Sequence, residues 1–357
     1  MKVRLVVALA ASVVGVGPQA LAGGYTYATI QEPGTTVTQI QGLNSLGVVT
    51  GDYGVGFNTF GFIESGGVYT AVTPPTGPLV LPTGINRAGV VVGFTSNGTV
   101  NTAFVDTGGV YTAPSVPGAT STYPVAINDA GVIAGQYVVG SRHMGFIDAG
   151  GSYVRLSVPG AINTLVDSIN ASGVVGGQYS TGSVNGGFTY SGGVFTLINP
   201  PGGTNTSVSG INASGAVVGQ YTVGSTTFGF VESGGVYTTL SVPGASFTSA
   251  DAINDLGEVA GYYQMGANQL GFVERGGVYT TLGPVGGTGV TVVGINDAGQ
   301  VAGNYSKAGG GLFGFVATPI GAPEPADWSL IFVGVGWMGA AFRLRRRRGG
   351  SVGGFRD

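Results

Sequence analysis

The chain has 357 residues, 71 of them glycine, with no cysteine, 8% charged residues and a formal net charge of −3. The lack of cysteine excludes disulfides, thiolate metal sites and cysteine nucleophiles, and a lone histidine, His143, excludes a histidine triad or a multi-histidine metal centre. Between Gly23 and Ile320, five basic residues (Arg87, Arg142, Arg155, Arg275, Lys307) stand against thirteen acidic ones, so nucleic acid and anionic lipid are not expected partners of this body.

Residues 1–22 read as a secretory signal peptide. Lys2 and Arg4 supply the positive start, Leu5 to Val16 the apolar stretch, and Ala20-Leu21-Ala22 the small-x-small site at which signal peptidase would cleave. The first strand expected after it is Tyr25 to Ile30, which aligns with the last strand of a repeat whose earlier strands are missing at this end.

The body, residues 23–320, is periodic. Asn44, Asn86, Asn128, Asn170, Asn212, Asn254 and Asn296 recur at a constant interval of 42, each after an aliphatic residue and three residues before a glycine. A fixed period of this size means one supersecondary unit copied in tandem. One copy reads Gly276-Gly277 as a tight turn, Val278–Leu282 as a strand, a Pro-Gly loop, Val292–Asn296, the Asn turn closed by Gly299, Gln300–Tyr305, and Gly314–Val316. A second glycine column follows at 51, 93, 135, 177, 219, 261 and 303. Phenylalanine recurs at 62, 104, 146, 188, 230, 272 and 315, and tyrosine or phenylalanine at 27, 69, 111, 153, 195, 237 and 279. These columns are expected to be scaffold: turn glycines, core aliphatics and aromatic packing between units.

Four short strands per unit predict an all-β, seven-bladed β-propeller in which the N-terminal strand completes the last blade. The I-N-x-x-G-x-V-x-G pattern and the x-G/A-F strand resemble the HAF family of bacterial extracellular repeats. The namesake histidine is absent: Phe60, Thr102 and Met144 occupy its position, and His143 falls one residue early. That family has no assigned catalytic activity, so the resemblance implies fold and export.

Residues 321–357 form a second address. Pro323-Glu324-Pro325 precedes an apolar segment, residues 328–342, which as a helix of roughly 22 Å would be a short membrane span. The basic cluster Arg343, Arg345, Arg346, Arg347 and Arg348 (residues 343–348) would stay cytoplasmic. This tripartite tail resembles the PEP-CTERM sorting signal of Gram-negative bacteria. The resemblance implies recognition by an exosortase, transient inner-membrane anchoring, and delivery to the cell surface or an exopolysaccharide matrix. The extension from Gly349 to Asp357 departs from that pattern.

Among possible chemistries, carboxylates alone are organised. Glu64, Asp106, Asp148, Glu232 and Glu274 each follow a repeat phenylalanine by two residues and are expected to be solvated hairpin acids; Asp129, Asp255 and Asp297 stand in the Asn turns. Neither set approaches the carboxylate density of a dedicated calcium loop, so no metal and no cofactor is expected. The candidate ligand face is the one shared by the Pro-Gly connections and the variable loops, carrying Tyr53, Arg142, His143, Tyr262, Tyr263 and Gln264. The sequence therefore points to a non-enzymatic binding or adhesion protein for exopolysaccharide or another surface protein. A secreted hydrolase with carboxylates in the propeller channel is the alternative.

Overall fold

The computed structural model describes residues 19–20 and 24–321, and among these there is no helix. The expected signal cleavage at Ala22, the Pro323-Glu324-Pro325 motif, the apolar segment and the arginine cluster lie outside the described residues. So does Ala20, apart from its backbone. Gln19–Ala20 pair antiparallel with Thr26 and Tyr27.

Each repeat folds as a four-stranded antiparallel meander. In the Asn44 repeat the strands are Thr38–Leu43, Val49–Val55, Asn58–Ser65 and Val68–Val72. They pair in sequence, first to second to third to fourth. The asparagine turn and the Gly-Gly turn of a meander therefore lie at one end of its sheet. The connection between second and third strands and the link to the next repeat lie at the other. Adjacent meanders are joined by backbone only through single parallel bridges such as Thr59↔Leu79 and Thr227↔Phe247. Side chains do the rest.

The N-terminal strand Tyr25–Ile30 pairs antiparallel with Leu312–Pro319, and so supplies the outer strand that the last repeat lacks. The sequence expectation for that strand holds.

The first strands of all the repeats line a common axial channel of about 360 Å³. Every first strand carries a β-bulge: the register shifts between Ile40 and Gly42, and at the matching positions of the other six repeats. The unpaired residues are Gln41, Thr83, Val125, Asp167, Ser209, Asp251 and Val293. A bulge turns its extra side chain away from the ladder, and here the channel receives it. The bulge also explains the second glycine column, which lies mid-strand and not in a turn. A β-carbon at Gly51 or Gly219 would overlap the carbonyl oxygen of Gln39 or Ser207 on the first strand.

The core lies between meanders. Phe62, Phe146, Phe188, Phe230, Phe272 and Phe315 are fully buried, each against aliphatics of its own and the neighbouring repeat, as Phe188 is with Val166 and Leu156. Removing one such side chain from water contributes about 2–3 kcal/mol. The tyrosine column adds a directional link. Tyr69, Tyr111, Tyr153, Tyr237 and Tyr279 each accept a hydrogen bond from a backbone N–H 38 residues earlier, at 2.7–3.1 Å. Tyr27 accepts the equivalent bond from Gly283 at 3.1 Å across the closure.

Candidate functional site

The seven asparagines form a closed ring. Each side-chain Nδ2 donates to the backbone carbonyl of the next asparagine at 2.9–3.3 Å, and Asn296 donates to Asn44 to complete it. Each Oδ1 accepts the N–H four residues on, at 2.9–3.0 Å, which fixes its own turn. The residue between, such as Gly47 or Gly173, takes φ near +80°, where a side chain would be strained. All seven asparagines are buried, and both side-chain functions are consumed by the scaffold.

The hairpin acids behave differently from the sequence expectation. Glu64, Asp106 and Asp148 accept the N–H of the second turn glycine at 2.6 Å, Glu232 does the same from Gly235, and Glu274 bonds Gly277. Glu64, Asp106, Asp148 and Glu274 are buried, not solvated. An unpaired turn N–H would cost about 1–3 kcal/mol, and these carboxylates remove that cost. Asp129, Asp255 and Asp297 accept N–H groups of Arg87, Ala213 and Asp255 in the preceding turn at 2.7–2.8 Å. They also rim the channel mouth at this end, beside Asn128, Asn254 and Asn296.

Three carboxylates around the axis were not singled out from the sequence. Asp167 and Asp251 occupy bulge positions and face the channel. Enclosure by protein pushes each up to about 7, partly offset by Gln178 for Asp167 and by Ser249 for Asp251. Ser249 Oγ donates to Asp251 Oδ1 at 2.6 Å, while Oδ2 has no donor. Asp52, on a second strand, is pushed up to about 6 by burial and accepts a bond from Gln41 at 3.1 Å. Asp167 and Asp251 share the bulge column, which holds Gln41, Thr83, Val125, Ser209 and Val293 in the other copies, and Asp52 is the one acid in its own column; the signal was a charged residue where most copies carry a neutral one. Among the described residues no three His, Cys, Asp or Glu side chains converge on a metal-sized site.

At the opposite end the predicted ligand residues are dispersed. Tyr53 stacks on Phe60 at 5.5 Å between ring centres, beside the fully exposed Phe57. Tyr262 stacks on Phe247 at 5.4 Å, and burial, then the Asp251 carboxylate, push its phenol up. Gln264 bonds the carbonyl of Gly266 in its own turn. Tyr263 belongs to the core: alternation along the strand turns it away from Tyr262, and its hydroxyl meets Thr281 Oγ1 at 2.9 Å. Arg142 and His143 are exposed at the start of a third strand, with the His143 ring 6.4 Å from that of Tyr123. Of the six, His143 lines a cleft. That cleft, about 430 Å³, lies between the Asn128 and Asn170 repeats and is walled by Gln136, Asn163, Leu165, Gln178, Tyr179, Ser180 and Asn185.

No protein-family model matches the chain, and no curated protein matches it. Among solved structures it is similar to virginiamycin B lyase from Staphylococcus aureus, with 13% identity, a TM-score of 0.52, and coverage of 82% of this chain and 99% of that one. It is also similar to YCF48 bound to D1 peptide, with 14% identity, a TM-score of 0.50, and coverage of 82% and 96%. At these identities the likeness shows the fold alone: repeated four-stranded sheets arranged as in β-propeller structures.

Proposed function

We propose that the body is a seven-bladed β-propeller that serves as a non-enzymatic binding or adhesion module at the cell surface or in an extracellular matrix. The observation that carries this reading is the contrast between its ends. At the asparagine end the recurring polar groups are spent on their own turns and on neighbouring repeats. At the loop end the Tyr262–Phe247 stack, the exposed Phe57, the cleft amides and the Arg142–His143 pair have no counterpart repeated from copy to copy. An end that repeats from copy to copy as scaffold and an end that varies between copies and is partly apolar suit a surface that recognises a ligand. The ring of seven asparagine bonds supports the blade count, and a projection down the axis with any other number of lobes would overturn it.

Export, exosortase sorting through Pro323-Glu324-Pro325 and transient anchoring by the apolar tail belong to the same proposal, and rest on the resemblance of the tail. Cells expressing the full chain with and without those three residues should differ in surface display after fractionation. Equal cytoplasmic retention of both sinks the sorting argument. A panel of glycans and surface extracts on affinity columns tests the binding role. The expected result is retention without turnover, with weaker retention for loop-end substitutions.

The second reading, a secreted hydrolase, is favoured by Asp167 and Asp251, which titrate near neutrality where a general acid or base works best. Glycan turnover lost in both Asp167→Asn and Asp251→Asn would establish it.

A further inference from the structure

Two features of the Asn170 repeat shape the cleft between it and the Asn128 repeat. On five of the second strands a tyrosine pairs with a large residue on the third strand, Tyr53 with Phe60, Tyr137 with Met144, Tyr221 with Phe228, Tyr263 with Leu270 and Tyr305 with Phe313, and in the Asn86 repeat Thr95 pairs with Thr102. In the Asn170 repeat the partner of Tyr179 is Gly186. Tyr137, Tyr221, Tyr263 and Tyr305 are 3%, 6%, 3% and 1% exposed. Tyr179, with no side chain opposite, is only partly buried, as is Tyr53. A β-carbon at Gly186 would come within 2.6–2.7 Å of the Tyr179 ring and hydroxyl, so the ring fills the space that a larger residue would take.

The Tyr179 hydroxyl lacks the threonine partner that three other repeats supply. Tyr221, Tyr263 and Tyr305 bond Thr239, Thr281 and Thr29 at 2.7, 2.9 and 3.1 Å. The matching position in the Asn170 repeat is Leu197, and among the described residues the Tyr179 hydroxyl has no partner. An aromatic ring backed on one side by the core, with a free phenol, thus stands in the wall of the cleft.

The rest of the wall is neutral and amide-rich. Gln136, Asn163, Gln178 and Asn185 carry both donors and acceptors, with one N–H of Gln136, Gln178 and Asn185 already given to Val166, Asp167 and Asn205, and Ser180 adds a hydroxyl and His143 a ring nitrogen. Asn163 is already held by the N–H of His143 at 3.0 Å, which fixes it at the rim. No lysine, arginine or carboxylate lines the cleft, so an ion has no counter-charge there. A pyranose ring matches this wall: its C–H face packs on an aromatic ring, and its hydroxyls need paired donors and acceptors. The volume falls in the range of about 300–1,000 Å³ typical of ligand pockets.

We infer that the cleft beside Tyr179 binds a neutral pyranose chain, with Tyr179 as the stacking platform and the Gln136, Asn163, Gln178 and Asn185 amides reading its hydroxyls. This deepens the reading of the loop end as a binding surface and rests on it.

The test uses the full chain in affinity electrophoresis through gels containing amylose, galactomannan or hydroxyethyl cellulose. Two variants target the cleft. Tyr179→Ala removes the platform. Gly186→Phe restores the residue found at positions 60, 228 and 313 and closes the cleft while following the repeat's own pattern. The expected result is retardation of the natural chain by at least one neutral polysaccharide, weakened at least tenfold in both variants, with Gly186→Phe unfolding at or above the natural temperature. Retardation that survives Gly186→Phe but is lost in Phe57→Ser or Arg142→Ala overturns the cleft assignment and leaves the binding-surface reading standing. Retardation by none of the three polymers overturns the assignment of a neutral sugar, and the retention panel on surface extracts then decides the broader reading separately.

Discussion

The two ends of the body use the same residue types to opposite effect. At the asparagine end, amides repeat every 42 residues and each finds the same partner in the next copy, as Asn128 finds Asn170 and Asn170 finds Asn212, while the hairpin carboxylates each hold the Gly-Gly turn of their own copy. At the loop end, Asn185 meets Asn205 at 3.3 Å, in one repeat only, and Gln136 and Gln178 line a cleft. A polar side chain that repeats with the fold is part of its closure. One that does not repeat is available for something else.

The largest effect expected on this comparison comes from the bulge on which both ends depend. Gly219→Ala would drive a methyl group into the carbonyl oxygen of Ser207 and against the Phe230 ring, neither of which can swing aside. We expect a loss of at least ~3 kcal/mol, or failure to fold, read by urea unfolding. A near-neutral result would mean that the bulge relaxes, and that this glycine column does not hold the strands in register.

Next is a matched pair of asparagines. Asn170→Ala removes the bond to the Asn212 carbonyl and leaves the N–H groups of Ser172 and Val174 without their acceptor, at a buried site. The expected cost is about 3 kcal/mol. Asn185→Ala, at the exposed loop end, should cost no more than ~0.5 kcal/mol. Equal costs in thermal unfolding would erase the distinction drawn between the ends.

Most of the asparagine end was legible in the sequence because closure forces repetition. A ring bond from each copy to the next requires the same residue at the same place every time, and Asn44 to Asn296 satisfied that. The truncated first strand announced its partner in the same way. What stayed hidden was set by neighbours across repeats or by side-chain direction. Glu64 and Asp106 looked solvated because nothing in the sequence says that the N–H of Gly67 or Gly109 points back at them. Tyr263 looked like a ligand residue because it follows Tyr262, yet strand alternation sends the two to opposite faces. The Tyr179 cleft was legible only as a missing side chain, Gly186, in a column that otherwise holds larger residues.

Between the ends, Asp167 gives the comparison a pH axis. Its folded value is about 7, above the ordinary 3.8, so the native state holds a proton that the unfolded chain releases. Its effect is absent below about pH 4. From there to about pH 7 the folded state loses stability relative to the unfolded one as pH rises, by an amount on the order of 2 kcal/mol after allowing for water in the channel. Asp167→Asn should match the natural chain at pH 4 and unfold a few degrees higher at pH 8. If the gap instead narrows as pH rises, burial is not what governs this carboxylate. Asp52, raised to about 6, predicts the same sign over a narrower window.

The smallest effect concerns the one break in the tyrosine links. Tyr237 accepts the N–H of Asn199 at 3.1 Å, whereas the corresponding residue one repeat earlier is Phe195, which packs on Phe188 and Tyr190 but has no hydroxyl to offer the N–H of Ser157. Tyr237→Phe should therefore cost about 1 kcal/mol, the net value of one hydrogen bond. Phe195→Tyr should gain up to about that much, since the ring already occupies the tyrosine position and only the hydroxyl is new. The two changes are reciprocal, and chemical unfolding of each single variant and of the pair measures them on one scale. If Phe195→Tyr destabilises, the Asn170 repeat is displaced from its neighbour relative to the others. The cleft on the same repeat would then owe its opening to that displacement as well as to Gly186.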